Sequence, residues 1–177
     1  MKLIHIFGAP NAGKTTLRDE LARRHPEMQS YCIDDFRKIY SDGTLEGEMS
    51  AQAEFKKAMK KGGFFECSGA GAYTVSVLLD FLNEEQYIIV LDTPVDVCIS
   101  RIREGKYDGI PFPFHGSNED FIRNVTLHLS SGYFMSLDKN IPMLRLKGLS
   151  LEEQVCEVER FTDLCQRQKN GKGPGTC

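Results

Sequence analysis

The chain has no excess of positive charge: its 22 lysines and arginines stand against 25 aspartates and glutamates, giving a formal net charge of -3. Wrapping a long nucleic-acid backbone requires a basic field that this chain lacks, which leaves only contact with a strand end or a local basic groove. No stretch approaches the roughly 20 apolar residues of a membrane span, and no membrane partner is expected. The apolar start, Met1 to Phe7, is too short for a signal peptide and leads directly into a glycine motif. Six cysteines (Cys32, Cys67, Cys98, Cys156, Cys165 and Cys177) include no C-x-x-C pair, and most fall in apolar stretches where a free thiol packs as a small core residue. They read as reduced thiols, which places the protein in a reducing cytoplasm. The histidines His5, His25, His115 and His128 offer no pair at metal-ligand spacing, so a zinc site is not expected, and His5 reads as a core histidine within a strand. Internal repeats and a guanine-reading N-K-x-D are also missing.

What is present is an alternation of short apolar runs with helix-period segments, the pattern of a parallel sheet covered by helices on both faces. The runs are Leu3 to Phe7, Ser30 to Ile33, Phe64 to Cys67, Tyr87 to Leu91 and Met143 to Leu146. Three helix starts carry a hydroxyl residue followed three positions later by an acid: Thr93 with Asp96 (Pro94 at the first helical position), Ser117 with Asp120, and Ser150 with Glu153. From about Asn118 to Ser136, Ile122, Val125, Leu129 and Tyr133 share a face, and Leu151, Val155, Val158 and Thr162 do so in the last helix. The expectation is a single domain over residues 1–167, followed by a flexible polar tail over 168–177.

Gly8-Ala9-Pro10-Asn11-Ala12-Gly13-Lys14-Thr15 satisfies G-x-x-x-x-G-K-[ST] at every defined position, between the first apolar run and a segment carrying Leu17 and Leu21. Its glycines let successive backbone N–H groups converge on phosphates, and the following helix adds its positive end. Lys14 is expected to reach the β- and γ-phosphates of ATP, Thr15 to ligate Mg²⁺, and Thr16 to complete the nucleotide contacts. GTPases, ATPases and kinases share this loop, so other residues must define the reaction.

Tyr31-Cys32-Ile33-Asp34-Asp35-Phe36-Arg37 sets two carboxylates at the carboxyl end of the second strand, the edge where parallel sheets bind ligands. A carboxylate there can take the proton of an attacking hydroxyl, and an arginine one turn on can hold a phosphate in its planar fork. Asp34-Asp35-Phe36-Arg37, some twenty residues after the loop, resembles the D-D-[YF]-R motif of the kinase domain of polynucleotide 5′-kinases; zeta-toxin and related small P-loop kinases also carry an acid near this position. The resemblance implies Asp34 as general base and Arg37 as the grip on the phosphate beside the acceptor hydroxyl. It further implies an α/β, three-layer P-loop fold with a five-stranded parallel sheet in the order 2-3-1-4-5 and a lid over about residues 101–117.

Glu66 ends the third apolar run and is placed like a Walker-B acid that holds Mg²⁺ through water, with substrate binding as the competing role. Gly69 and Gly71 beyond it would let a substrate approach the backbone. Arg101 and Arg103 precede the irregular stretch Tyr107 to Gly116; two positions apart, they cannot share a helix face. By resemblance to the lid arginines of this kinase class, Arg101 is favoured in transfer and Arg103 is second. The turn Leu146-Lys147-Gly148-Leu149-Ser150 falls where similar kinases contact adenine, while Lys56, Lys57, Lys60 and Lys61 read as a solvated helix end. The leading expectation is transfer of the γ-phosphoryl group of ATP to a nucleic-acid hydroxyl, either a 5′-OH or a hydroxymethyl base. The alternative acceptor is a small molecule: a nucleoside, nucleotide or sugar. A nucleotide switch is a third, weaker reading.

Overall fold

The computed structural model describes residues 1–102, 117–130 and 141–164. Five parallel strands form one sheet in the order β2-β3-β1-β4-β5: β1 (Lys2–Gly8), β2 (Ser30–Cys32), β3 (Gly63–Glu66), β4 (Glu85–Leu91) and β5 (Met143–Leu146). Each coincides with one of the apolar runs. The sheet is covered by α1 (Lys14–Arg24), α2 (Ile33–Tyr40), α3 (Leu45–Met59), α4 (Ala72–Asp80), α5 (Val95–Ser100), α6 (Asn118–Ser130) and α7 (Leu151–Phe161).

β1 lies at the centre because both of its faces are apolar, as a strand covered on two sides requires. Ile4, Ile6 and Phe64 join a core containing Leu17 and Leu21 of α1 and Val155 and Val158 of α7. Leu3 and Phe65 alternate to the other face, against Phe55 and Met59 of α3 and Val77 and Phe81 from α4. Burying each of these large side chains contributes about 1.5–3 kcal/mol. α6 contributes Ile122, Val125 and Leu129, all buried; Tyr133, placed on the same stripe by its spacing, lies outside the described residues. So do residues 103–116 of the expected lid, Arg103 among them, and the expected tail.

Two of the three anticipated caps form. Ser150 makes a capping box with Glu153, and Ser117 Oγ accepts the Asp120 N–H at 3.1 Å. Thr93 does not cap: α5 has Pro94 at its N-cap position and no side-chain cap, because the Thr93 hydroxyl instead donates to Ala12 O at 2.9 Å. A tertiary hydrogen bond to the phosphate loop has displaced the local one. Lys56 pairs with Asp80 across to α4, and Lys57 Nζ lies 2.5 Å from Glu54 Oε1. The four described cysteines are free thiols.

His5 is buried in β1 with its Nε2 3.0 Å from Gln86 Oε1, and Gln86 Nε2 donates to Leu78 O at 3.1 Å. Burial lowers its pKa from 6.5 to about 4, with the Gln86 bond opposing the shift. Between those values the unfolded chain binds a proton that the folded chain refuses. Stability from this site is therefore complete above about pH 6.5 and lost as pH falls toward 4, by up to about 3 kcal/mol. Urea denaturation of the wild type and His5→Met across this range should show a shallower pH dependence in the variant; equal slopes would remove the assignment.

Candidate active site

The phosphate loop leaves β1 at Gly8 and enters α1 through Gly13, whose φ of 101° is the left-handed conformation glycine adopts without strain. No side chain caps α1. Its first-turn amides therefore project without intrahelical partners, as an anion site needs. Lys14 Nζ donates to Ala9 O at 2.9 Å, folded back over the loop. The loop is strapped to the segment after β4: Asn11 Nδ2 donates to Cys98 O at 3.2 Å, Arg101 Nη1 to Asn11 O at 3.2 Å, and Thr93 to Ala12 O. Arg101, the C-cap residue of α5, thus stands at the loop.

Behind the loop, Thr15 Oγ1 donates to Glu66 Oε1 at 2.8 Å. Glu66, at the end of β3, is buried; its Oε2 lies 2.8 Å from Arg18 Nη1, yet neither atom completes a hydrogen bond. This arrangement fits Mg²⁺. A hydroxyl that gives its proton to a carboxylate keeps both lone pairs for a cation, and the ion pair with Arg18 holds Glu66 in place behind it. Among the described residues no group of three or more His, Cys, Asp or Glu could hold a metal by itself. The ion would rest on Thr15, phosphate oxygens and water, as Mg²⁺ commonly does.

Asp34 and Arg37 sit on the first two turns of α2, which starts directly where β2 stops. Both line the same cleft, of about 1180 Å³, as Lys14, Thr15 and Glu66. Asp35 points elsewhere, more than half exposed beside Lys38, and does not line it. Arg37 differs from the open phosphate grip implied by its motif. Its Nε and Nη2 donate to the two oxygens of Glu48 at 2.9 and 2.8 Å, and its Nη1 donates to Asp34 Oδ1 at 2.7 Å. Burial opposes its charge, but Glu48 and Asp34 more than compensate, raising its pKa above the ordinary arginine value.

Sequence reasoning passed over Glu48 and Arg18. Glu48 was findable: it falls on the stripe of α3 that also buries Ala51, Phe55 and Met59, and an acid on an apolar stripe needs a partner. Gly69 is also required by packing: its φ is +77° and a Cβ there would lie 2.5 Å from the Phe7 ring on β1. Gly71, with φ 89° and nothing within 4 Å of an added Cβ, has the open surroundings expected of it. Cys32 and Cys67 also line the cleft, but burial pushes their thiols up to about 12 and about 11, so neither is a thiolate near neutrality.

The cleft is also walled by Leu146 at the end of β5 and Gly148 and Leu149 of the turn after it, together with Leu151 and Gln154 of α7 and Val97 of α5. Gln154 Nε2 donates to Leu149 O at 2.9 Å and fixes that turn. Asn118 and Phe121 of α6 complete the lining, a contribution the sequence did not disclose.

No protein-family model matches the chain, and no curated protein matches its sequence. Solved structures do match its fold. A gluconokinase from Sinorhizobium meliloti 1021 superposes with a TM-score of 0.63 at 13% identity, covering 96% of this chain and 95% of its own. Deoxyadenosine kinase from M. mycoides, with products dCMP and dCDP bound, gives 0.58 at 15% identity over 93% of this chain and 100% of that one. Shikimate kinase from Acinetobacter baumannii, in complex with shikimate, gives 0.57 at 16% identity over 94% and 93%. The likeness is one of fold: an α/β P-loop kinase architecture built on a five-stranded parallel sheet.

Proposed function

We propose that the protein is an ATP- and Mg²⁺-dependent kinase that phosphorylates an alcohol group of a small molecule: a nucleoside, nucleotide or sugar. The observation that carries this reading is that Asp34 opens into the same cleft as the phosphate loop and the Thr15–Glu66 pair. A nucleotide switch needs no ionisable acid opening into the phosphate cleft from a second element; a kinase does.

The loop amides and Lys14 hold the triphosphate, and the exchange of Lys14's carbonyl partner for phosphate oxygens aligns the γ-phosphoryl group. Asp34 accepts the proton of the incoming hydroxyl as its oxygen bonds to phosphorus and the bridging oxygen departs with ADP. Thr15, backed by Glu66, would hold Mg²⁺, which when bound would supply positive charge to the phosphate oxygens. Arg101 adds its charge at the loop, where negative charge spreads over the transferring group. Arg103 would take that part if Arg101 does not.

The small-molecule acceptor is favoured over a nucleic acid on three grounds. Arg37 is engaged by two carboxylates, Lys56 and Lys57 are paired with acids, and the matched folds include kinases named for a nucleoside, gluconate and shikimate. The second reading, a hydroxyl of DNA or RNA, is supported by the Asp34-to-Arg37 motif, whose two functional positions face the cleft together. Transfer of labelled γ-phosphate should be run against nucleosides, nucleotides, sugars, 5′-hydroxyl DNA and RNA, and DNA with hydroxymethylated bases. Label in the small molecules is expected. Label confined to polynucleotide would reverse the order of the two readings, and label in none would remove both.

A further inference from the structure

Glu48 is a buried carboxylate, 4% exposed, that does not line the cleft but stands directly behind a residue that does. It grips Arg37 with both oxygens, and Gln52 Nε2 donates to its Oε1 at 2.7 Å. Its place in the first turn of α3 adds the favourable end of a helix dipole, so the anion is well supported where it sits. With Asp34 on its other side, Arg37 is one guanidinium between two carboxylates. An arginine so neutralised positions a neighbour well and attracts an external anion poorly, because the field of each carboxylate opposes the anion's approach.

We propose that Glu48 is a specificity-determining positioning residue: by clamping Arg37 it fixes the guanidinium that orients Asp34 and cancels its charge, so that the acceptor site takes an uncharged alcohol and turns away acceptors with a phosphate beside the reacting hydroxyl. This rests on the reading of the cleft as a kinase acceptor site and narrows the acceptors given there to nucleosides and sugars. It assigns Arg37 a role opposite to the phosphate grip implied by the motif. Asp34 keeps its second oxygen for the acceptor, while the N–H at Oδ1 sets the rotation of the carboxylate.

The test is calorimetric titration with inorganic phosphate in a Lys14→Ala background, which removes the loop's own cation from every arm. Glu48→Gln retains the shape and removes the charge, and it should bind phosphate about tenfold more tightly than the parent. Arg37→Gln/Glu48→Gln, a neutral pair of similar shape, should return to the parent affinity within about twofold. A merely structural lesion would weaken binding rather than tighten it. No gain in Glu48→Gln, or a gain that survives in the double variant, would overturn the proposal. If Glu48→Gln does not fold, the parent and the neutral double variant decide alone, since markedly weaker binding by the double variant would mean that Arg37 was exerting its charge all along. These affinities require no turnover. Failure of the label-transfer assay would remove the kinase reading and leave the Glu48 result standing.

Discussion

Lys14→Ala is expected to abolish transfer of γ-phosphate, lowering turnover by a factor on the order of 10³ or more. The ammonium is the one motif side chain able to follow charge from the β- to the γ-phosphate as the bond breaks. In the structure it donates to Ala9 O, a contact readily traded for a phosphate oxygen that is charged and closer to its preference. The loop's geometry does not depend on it, because Asn11, Thr93 and Arg101 hold the loop from the other side. The variant should therefore melt within about 2 °C of wild type, with its ATP affinity reduced. Loss of activity with a collapsed melting temperature would point to folding rather than chemistry, and undiminished transfer would remove Lys14 from the reaction.

Asp34→Asn should bind ATP normally yet slow the chemical step by a factor of about 10² to 10⁴. Asparagine has the same shape and can still accept the Arg37 N–H, so α2 keeps its start at the edge of the sheet. It cannot take a proton from an alcohol. Arg37 retains its two bonds to Glu48, which limits the structural cost. Single-turnover measurement with saturating acceptor isolates the step from product release, and wild-type turnover in this variant would dismiss Asp34 as base. Asp35→Asn is the internal control: that carboxylate stands outside the cleft beside Lys38, and its loss should change the rate less than about twofold.

The strands, the phosphate loop and two caps were readable because each is set by its own residues. Apolar runs of four or five residues avoid water, Gly13 ends the loop in a left-handed conformation that few other residues tolerate, and Ser150 with Glu153 closes on itself within one turn. What eluded the sequence is what distant segments settle between them. Thr93 looked like a cap, but a loop carbonyl far away in the chain gave its hydroxyl a better partner. Arg37 carried a motif that implied an open fork, yet whether the fork is open depends on Glu48, one helix later and brought beside it by the α2–α3 turn. Arg18 and Glu66 meet only because α1 packs against β3. Phe121 and Asn118 reach the cleft because α6 packs beside α5, a pairing that periodicity within α6 cannot announce.

The three hydrogen bonds between the phosphate loop and the chain after β4 make the anion nest and the end of α5 a single mechanical unit. Much of the ordering that a triphosphate would otherwise have to impose is already in place, so a larger share of each amide contact appears as affinity. The same linkage runs in reverse. Arg101 caps the end of α5, so any displacement of that helix end pulls on the Asn11 carbonyl.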